Sequence, residues 1–143
     1  MPETIAIAAD HGGFDLKSSL IPELHDLGYE VLDLGTMSRE SVDYPDFAEA
    51  LAGVIADGRA ARGILICGTG IGMSIAANRH RSIRAALVHD GTGARLARQH
   101  NDANVLVLGG RVIGAEVAKD CVKTFFATPF DGGRHARRIA KMS

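Results

Sequence analysis

The sequence predicts an α/β protein built on a five-stranded parallel sheet, and two features of the chain support this prediction. Five short, apolar, β-forming runs alternate with segments of helical length and spacing. Strands that are separated by helices indicate βαβ units and therefore a parallel sheet. The runs are apolar nearly throughout instead of alternating with polar residues, as expected when helices cover both faces of the sheet.

Each element of this pattern has a place on the chain. The predicted strands are Thr4–Ala9, Glu30–Leu34, Gly63–Cys67, Arg84–Val88 and Asn104–Leu108. The predicted helices are Phe14–Leu27, Asp46–Asp57, Gly72–Arg79, Gly91–His100 and Gly114–Ala127. Pro45 is suited to the start of the second helix, whereas Pro22 predicts a kink or a break in the first.

Length, composition and charge restrict the class of protein. We expect one domain over residues 1–143, with residues 131–143 as a short C-terminal tail rich in Arg and His. The net charge of −1 gives no reason to expect a nucleic-acid partner. No apolar run approaches the roughly 18 residues of a membrane span, and the N-terminus lacks a secretion signal, so no membrane partner is expected. Cys67 and Cys121 lack metal-type spacing, and we expect free thiols in a cytoplasmic protein.

Polar, ionisable and glycine residues gather just after the predicted strands. Asp10-His11 follows the first strand, Asp43-Tyr44 lies in the connection after the second, and Cys67 ends the third. In open α/β sheets, ligands bind beyond the carboxyl ends of the strands. Helix packing alone does not require polar residues there, so the sequence predicts a binding site at this edge of the sheet.

The segment Cys67-Gly68-Thr69-Gly70-Ile71-Gly72 combines a thiol with a glycine-rich turn before a helix. Glycines allow a ligand to approach the backbone closely, and the N-terminus of the next helix offers unpaired N–H groups to an anion. The same field favours the thiolate form of a cysteine at this position. The pattern is not the dinucleotide fingerprint and lacks the lysine of a nucleotide phosphate loop. On this segment alone, a structural turn with an inert, buried Cys67 remains an alternative.

Five motifs in order along the chain give a more specific indication. They are AADHGGF, DYPDFA, ICGTGIGMSIAANR, RQHNDANVLVLGGRVIG and GGRHARRI. Together they resemble ribose-5-phosphate isomerase type B over nearly the whole chain, a family that includes allose-6-phosphate and galactose-6-phosphate isomerases. The resemblance implies a three-layer α/β/α sandwich of Rossmann-like type. It also implies aldose–ketose isomerisation through a cis-enediolate.

The resemblance assigns catalytic roles to four residues. Cys67 matches the base of the cysteine-type members, and Thr69 matches a threonine that bonds near the thiol and the substrate. Other members carry a serine at the cysteine position and a glutamate further on, and this chain has no carboxylate in that helix. His100 matches the histidine that opens the sugar ring, with Asp10 assisting at the sugar hydroxyls. From the sequence alone, His100 could equally cap the end of its helix and Asp10 the start of one.

The remaining candidates are expected to bind the sugar and its phosphate. These substrate-binding candidates are His11, Asp43, Tyr44, Gly68, Gly70, Ile71, Gly72, Asn101, Arg111, Arg134 and Arg138. Arg134 and Arg138 are spaced i, i+4 and share one face of a helix, where they suit a phosphate, although a solvated basic tail is the alternative. We find no metal-ligand cluster and no dinucleotide motif in the sequence. We therefore expect no metal and no cofactor, with activity that survives EDTA.

The expected substrate is ribose 5-phosphate, converted to ribulose 5-phosphate, with allose 6-phosphate or another six-carbon aldose phosphate as the alternative. A non-catalytic binding or signalling domain, such as a receiver, is disfavoured because the third strand ends in Cys67 instead of aspartate. The family builds its site at a dimer interface, where the His100–Arg111 region reaches the partner's Cys67 loop. Because Cys67, Asp10 and His100 occur in one chain, we expect a homodimer or a dimer of dimers.

Overall fold

A five-stranded, all-parallel sheet forms the centre of the protein, as the sequence predicts. The computed structural model describes all 143 residues, Met1–Ser143. The strands are β1 Thr4–Ala9, β2 Glu30–Asp33, β3 Arg62–Cys67, β4 Ala85–Leu87 and β5 Val105–Gly109. They lie in the order β2-β1-β3-β5-β4, and each neighbouring pair is parallel.

Six helices cover the two faces of the sheet. They are α1 Phe14–Asp26, α2 Tyr44–Ala56, α3 Ile71–Ala77, α4 Gly91–Asn101, α5 Ala115–Ala127 and α6 Arg134–Ala140, with a 3-10 turn at His11–Gly13. One apolar core joins α1, α4 and α5 to the sheet, and a second core joins α2 and α3 to its other face. This arrangement confirms the three-layer α/β/α prediction. No helix combines the length and the apolar character needed to span a membrane.

Strand β1 shows how the sequence divides its side chains between the two cores. Ile5 and Ile7 belong to the core under α1, whereas Ala6 and Ala8 belong to the core under α2, and all four are fully buried. Successive side chains of a strand point to opposite faces, so an unbroken apolar run is what a doubly covered strand requires.

Helix α1 passes through Pro22 without ending, so the predicted break does not occur. A proline inside a helix removes one backbone hydrogen bond and costs about 3 kcal/mol. Leu20 and Leu24, on either side of Pro22, are fully buried. Burial of such a side chain contributes about 1.5–3 kcal/mol, so the two leucines together offset the cost of the proline.

The order of the strands creates a crevice between the carboxyl ends of β1 and β3. After β1 the chain moves to one side of the sheet to form β2, and after β3 it moves to the other side to form β4 and β5. The loops that leave β1 and β3 therefore turn away from each other. In open α/β sheets a ligand site lies at such a switch point, and here Asp10 and Cys67 stand at its two sides.

Candidate active site

The loops after β1 and β3 touch each other across the crevice. The N–H group of Asp10 donates a hydrogen bond of 3.1 Å to the carbonyl oxygen of Ile66. A Cβ atom on Gly12 would lie 3.0 Å from the backbone nitrogen of Gly68. Any side chain at position 12 would crowd this approach, and the two loops form one wall of the site.

Cys67 is the last residue of β3, and its thiol is held by the turn that follows. The Sγ atom accepts a hydrogen bond of 3.2 Å from the N–H group of Gly70. Gly70 has a φ of 81°, a left-handed conformation that brings its N–H group back toward the sulfur. The N–H groups of Gly68 and Thr69 donate to no acceptor within the protein. The turn after Cys67 therefore offers three N–H groups near the thiol. The one of Gly70 is bonded to Sγ, and those of Gly68 and Thr69 are free.

Residues at the start of α2 and α3 form the rim of the crevice. The hydroxyl oxygen of Thr69 accepts a hydrogen bond of 3.2 Å from the N–H group of Ile71. A Cβ atom on Gly72 would lie 2.6 Å from the ring of Tyr44, so the tyrosine ring lies against the first turn of α3. The side chain of Asp43 precedes α2 without capping it. The structure thus brings these predicted residues to the same edge as Cys67.

Asp10 and His11 follow β1 and are fixed by backbone donors. Asp10 is buried, and its Oδ1 atom accepts a bond of 2.9 Å from the N–H group of Gly12, which caps the 3-10 turn. Its Oδ2 atom has no partner in the protein and retains contact with solvent. Nδ1 of His11 accepts a bond of 3.2 Å from the N–H group of Val42. A ring nitrogen that accepts carries no proton, so Nε2 of His11 is left as the donor.

Arg111 follows β5 and lies over the glycine loop of its own chain, so the expectation that the segment reaching the partner's Cys67 loop extends to Arg111 is wrong. Its N–H group donates a bond of 2.9 Å to the carbonyl oxygen of Gly68. A Cβ atom on Gly68 would lie 3.3 Å from Nη1 of Arg111, so the guanidinium group passes directly over this glycine. Arg111 forms no ion pair with an acidic side chain. Its charge is available to an anion at the mouth of the crevice.

Four of the predicted site residues lie at the opposite edge of the sheet. Helix α4 begins beyond the carboxyl end of β4 and ends before the amino end of β5, which places His100 and Asn101 at the amino edge. Arg134 and Arg138 belong to α6, which packs against α4. A five-residue strand such as β5 separates the two edges by about 16 Å. One chain therefore does not bring these four residues to its own Cys67.

The residues at the amino edge form a second, compact cluster. The N–H group of Asp131 donates a bond of 3.1 Å to the carbonyl oxygen of Gln99, which fixes the segment before α6 on the last turn of α4. The rings of His100 and His135 are stacked, with centroids 4.5 Å apart and an interplanar angle of 16°. Arg134 and Arg138 are exposed and form no ion pair.

Sequence reasoning missed three residues that shape the two clusters. Val42 orients His11 through its backbone, and His135 stacks on His100. Arg98 is buried and bonds to Asp102 and to the carbonyl oxygens of Ala103 and Thr128, which holds the end of α4. The position of Arg98 next to Ala94 and Ala97 on the buried face of α4 was a signal for this role. A backbone donor such as Val42 leaves no signal in the sequence.

The fold and the crevice define an α/β/α enzyme that acts on a small molecule, with a thiol and a carboxylate at the switch point. The chain belongs to the Ribose/Galactose Isomerase family, whose model matches residues 5–142. It is therefore a sugar-phosphate isomerase, an intramolecular oxidoreductase.

The chain is similar over almost its whole length to known ribose-5-phosphate isomerases, both in sequence and in structure. The chain is 47% identical to ribose-5-phosphate isomerase B of Escherichia coli over 135 residues, which covers 94% of this chain and 91% of the relative. A ribose 5-phosphate isomerase structure from Thermotoga maritima is 58% identical with a TM-score of 0.96, covering 98% and 97% of the two chains. Ribose-5-phosphate isomerase B of Clostridium thermocellum gives 50% identity and a TM-score of 0.95, covering 97% and 94%.

Proposed function

We propose that the protein interconverts ribose 5-phosphate and ribulose 5-phosphate, with Cys67 as the base. The Cys67 thiolate removes the C2 proton of the open-chain aldose, and the electron pair moves into the C1 carbonyl to give a cis-enediolate. A proton passes from O2 to O1, and the thiol returns its proton to C1. C2 is thereby oxidised to a ketone while C1 is reduced to an alcohol, so no external oxidant or reductant is needed.

The groups around the Cys67 thiol are the main support for its role as the base. The Gly70 N–H group supports negative charge on Sγ, and the free N–H groups of Gly68 and Thr69 are suited to a developing enediolate oxygen. Asp10 is the neighbouring carboxylate, and its Oδ2 atom is free to exchange a proton with a sugar hydroxyl. These groups supply a base, anion donors and a proton carrier without a cofactor. The rim residues Tyr44 and Asp43 are suited to hold the sugar chain.

The substrate's phosphate requires cations, and the proposed set includes residues from both clusters. Arg111 and the Nε2 donor of His11 stand at the carboxyl edge, whereas Arg134 and Arg138 stand at the amino edge. We propose that a second copy of the chain supplies His100, Asn101 and the two α6 arginines to each crevice, in a homodimer or a dimer of dimers. The separation of the two clusters within one chain supports this assembly.

Two free cysteines, Cys67 and Cys121, support a cytoplasmic location.

The substrate is tested by assaying the purified protein with ribose 5-phosphate, allose 6-phosphate and galactose 6-phosphate in deuterated water. We expect the highest kcat/KM with ribose 5-phosphate, with solvent deuterium incorporated at C1 of the ketose. A higher kcat/KM with a six-carbon substrate would replace the proposed substrate by that sugar. Isomerisation without any deuterium incorporation would argue against a solvent-exchanging base.

A further inference from the structure

Two histidines at the amino edge, His100 and His135, stack on each other. His100 lies in the last turn of α4 and His135 in the first turn of α6. Their rings meet face to face, with centroids 4.5 Å apart and planes 16° from parallel. A hydrogen bond from the N–H group of Asp131 to the carbonyl oxygen of Gln99 fixes the segment before α6 on α4. The stacking of the two rings therefore lies where two helices are held together.

Asp131 is the third member of this cluster. The side-chain ligand atoms of His100, Asp131 and His135 lie within 4.8 Å of one another. Such a group can bind a divalent metal only if its lone pairs converge on one point. The planes of two nearly parallel rings do not meet at a single ion, so this geometry suits a contact between side chains better than chelation.

The surroundings of His135 favour its uncharged form by lowering its pKa. The groups that face it are His100 on α4, Arg134 and Arg138 on α6, and Asp131 on the preceding segment. Desolvation, followed by the positive charges of His100, Arg134 and Arg138, lowers the pKa of His135, and Asp131 acts in the opposite direction. An uncharged ring can lie against the face of His100 while His100 gains and loses a proton.

We propose that His135 is a positioning residue that holds the imidazole of His100 in the orientation needed to open the sugar ring. This inference rests on the proposed function, in which His100 acts at the ring oxygen in the partner's crevice. His135 lies between Arg134 and Arg138 on α6. The same short helix therefore fixes the distance between the cations that hold the phosphate and the imidazole that meets the ring.

The test separates ring opening from proton transfer at carbon. Ribulose 5-phosphate is an open chain, because its 5-hydroxyl is esterified and the 4-hydroxyl would close only a four-membered ring. Exchange of its C1 proton with solvent deuterium needs Cys67 but no ring opening. We therefore measure two rates for each variant, namely the conversion of ribose 5-phosphate and the incorporation of deuterium into ribulose 5-phosphate.

His135→Ala should lower kcat for ribose 5-phosphate by about 10- to 100-fold, the cost of a misplaced catalytic group. Its KM and its deuterium exchange should stay within about twofold of the original protein. His135→Phe, which keeps an aromatic face for the stack, should restore most of the conversion. Arg137→Ala, an exposed neighbour on α6, is the matched control and should change neither rate.

Three outcomes would overturn the proposal. They are unchanged conversion in His135→Ala, an equal loss of conversion and exchange, and failure of His135→Phe to restore conversion. An equal loss would mean that α6 and its arginines have moved. His100→Ala serves as the reference, because it should lose conversion and keep exchange. If His100→Ala itself keeps conversion, the assignment of ring opening to His100 is wrong, which is a failure of the proposed function and not of His135 alone.

Discussion

At the scale of single residues, the chemistry of the candidate site depends on backbone donors that the sequence does not display. The thiol of Cys67 and the ring of His11 each accept one backbone N–H group, from Gly70 and Val42. The Gly70 contact lies within a motif and was predictable from the glycine pattern. The Val42 contact joins residues 31 positions apart, and no pattern in the sequence indicates it.

Replacement of the proposed base should separate catalysis from binding. Cys67→Ala is expected to lower kcat by about 10²–10⁴, the usual contribution of general-base catalysis, with little change in KM. The measurement is steady-state kinetics together with deuterium incorporation at C1. Cys121→Ala is the control, because Cys121 is a fully buried residue of α5 and belongs to the core on the opposite face of the sheet from Cys67. Deuterium exchange at the original rate in Cys67→Ala would show that the thiol is not the base.

Alkylation should distinguish the two thiols of the chain. Burial, with the nearby charges of Asp120 and Asp90, raises the pKa of Cys121 to about 11. At pH 8 this thiol stays protonated, and its exposure is 0%, whereas Cys67 retains 5% at the crevice. Iodoacetamide should therefore inactivate the enzyme by modifying Cys67, and ribose 5-phosphate should slow the reaction. Peptide mass spectrometry identifies the site, and inactivation through Cys121 would contradict this prediction.

The α6 arginines should behave differently from the thiol. Arg138→Ala removes a charged donor proposed to bind phosphate, and KM should rise by about tenfold or more, since charge-assisted bonds contribute roughly 1.5–3 kcal/mol. We expect kcat to fall as well, because remote binding positions the reacting carbons. Arg137→Ala removes an exposed arginine one position away and should leave KM unchanged. Equal effects of the two variants on KM would point to general basicity instead of a defined phosphate site.

At the scale of elements, the sequence indicated all five strands and five of the six helices but placed several ends one or two residues away. Helix α6, Arg134–Ala140, lies in the segment expected only as a short C-terminal tail. The predicted second helix, Asp46–Asp57, is observed as Tyr44–Ala56, because Pro45 stands inside the first turn instead of before it. Strand β4 keeps only Ala85–Leu87 of the predicted Arg84–Val88. The backbone N–H group of Arg84 instead donates a bond of 2.8 Å to Oδ1 of Asn104, so a side chain replaces the strand partner at this position.

Two glycines of similar appearance in the sequence should respond in opposite ways to alanine. Gly53 lies inside α2, where a Cβ atom would meet nothing within 4 Å. Gly53→Ala should raise the free energy of unfolding by about 0.5–1 kcal/mol through better helix propensity. A Cβ atom on Gly110 would lie 2.5 Å from the carbonyl oxygen of Gly12. Gly110→Ala should therefore lower stability by about 1–3 kcal/mol.

Urea unfolding followed by circular dichroism measures both changes. Activity provides a second readout, because Gly110 belongs to the loop beside the crevice and Gly53 does not. A stabilised or unchanged Gly110→Ala variant would show that the β1 and β5 loops do not approach as closely as described.

At the scale of the whole molecule, the residue pattern indicated the fold class and the composition of the site, whereas only the family resemblance indicated that two chains share the site. The motifs list Cys67 and His100 on one chain without showing that a helix carries them to opposite edges of the sheet. That result follows from the connection of α4 between β4 and β5, which is a property of topology. Sequence spacing alone does not contain it.

Two inactive variants should restore activity to each other if two copies share each site. In a mixed dimer of Cys67→Ala and His100→Ala chains, one crevice receives both mutations and the other receives neither. After unfolding and refolding together, random pairing should recover up to about a quarter of the original activity. The control is a mixture of Cys67→Ala with Asp10→Ala, since both changes lie in the same cluster of one chain. The control should recover less activity than the first mixture. Equal recovery in the two mixtures would show that two copies do not share each site.

The course of α4 also determines how turnover depends on the amount of protein. This helix carries the chain from Gly91 at one edge of the sheet to Asn101 at the other, so His100 cannot return to the thiol of its own chain. On the proposed arrangement, a solitary chain holds no complete active site, and each active site forms when two chains associate. Below the dissociation constant of the dimer the rate then rises with the square of chain concentration, and above it the rate rises linearly. The affinity between copies thus sets the chain concentration below which most chains are single and inactive.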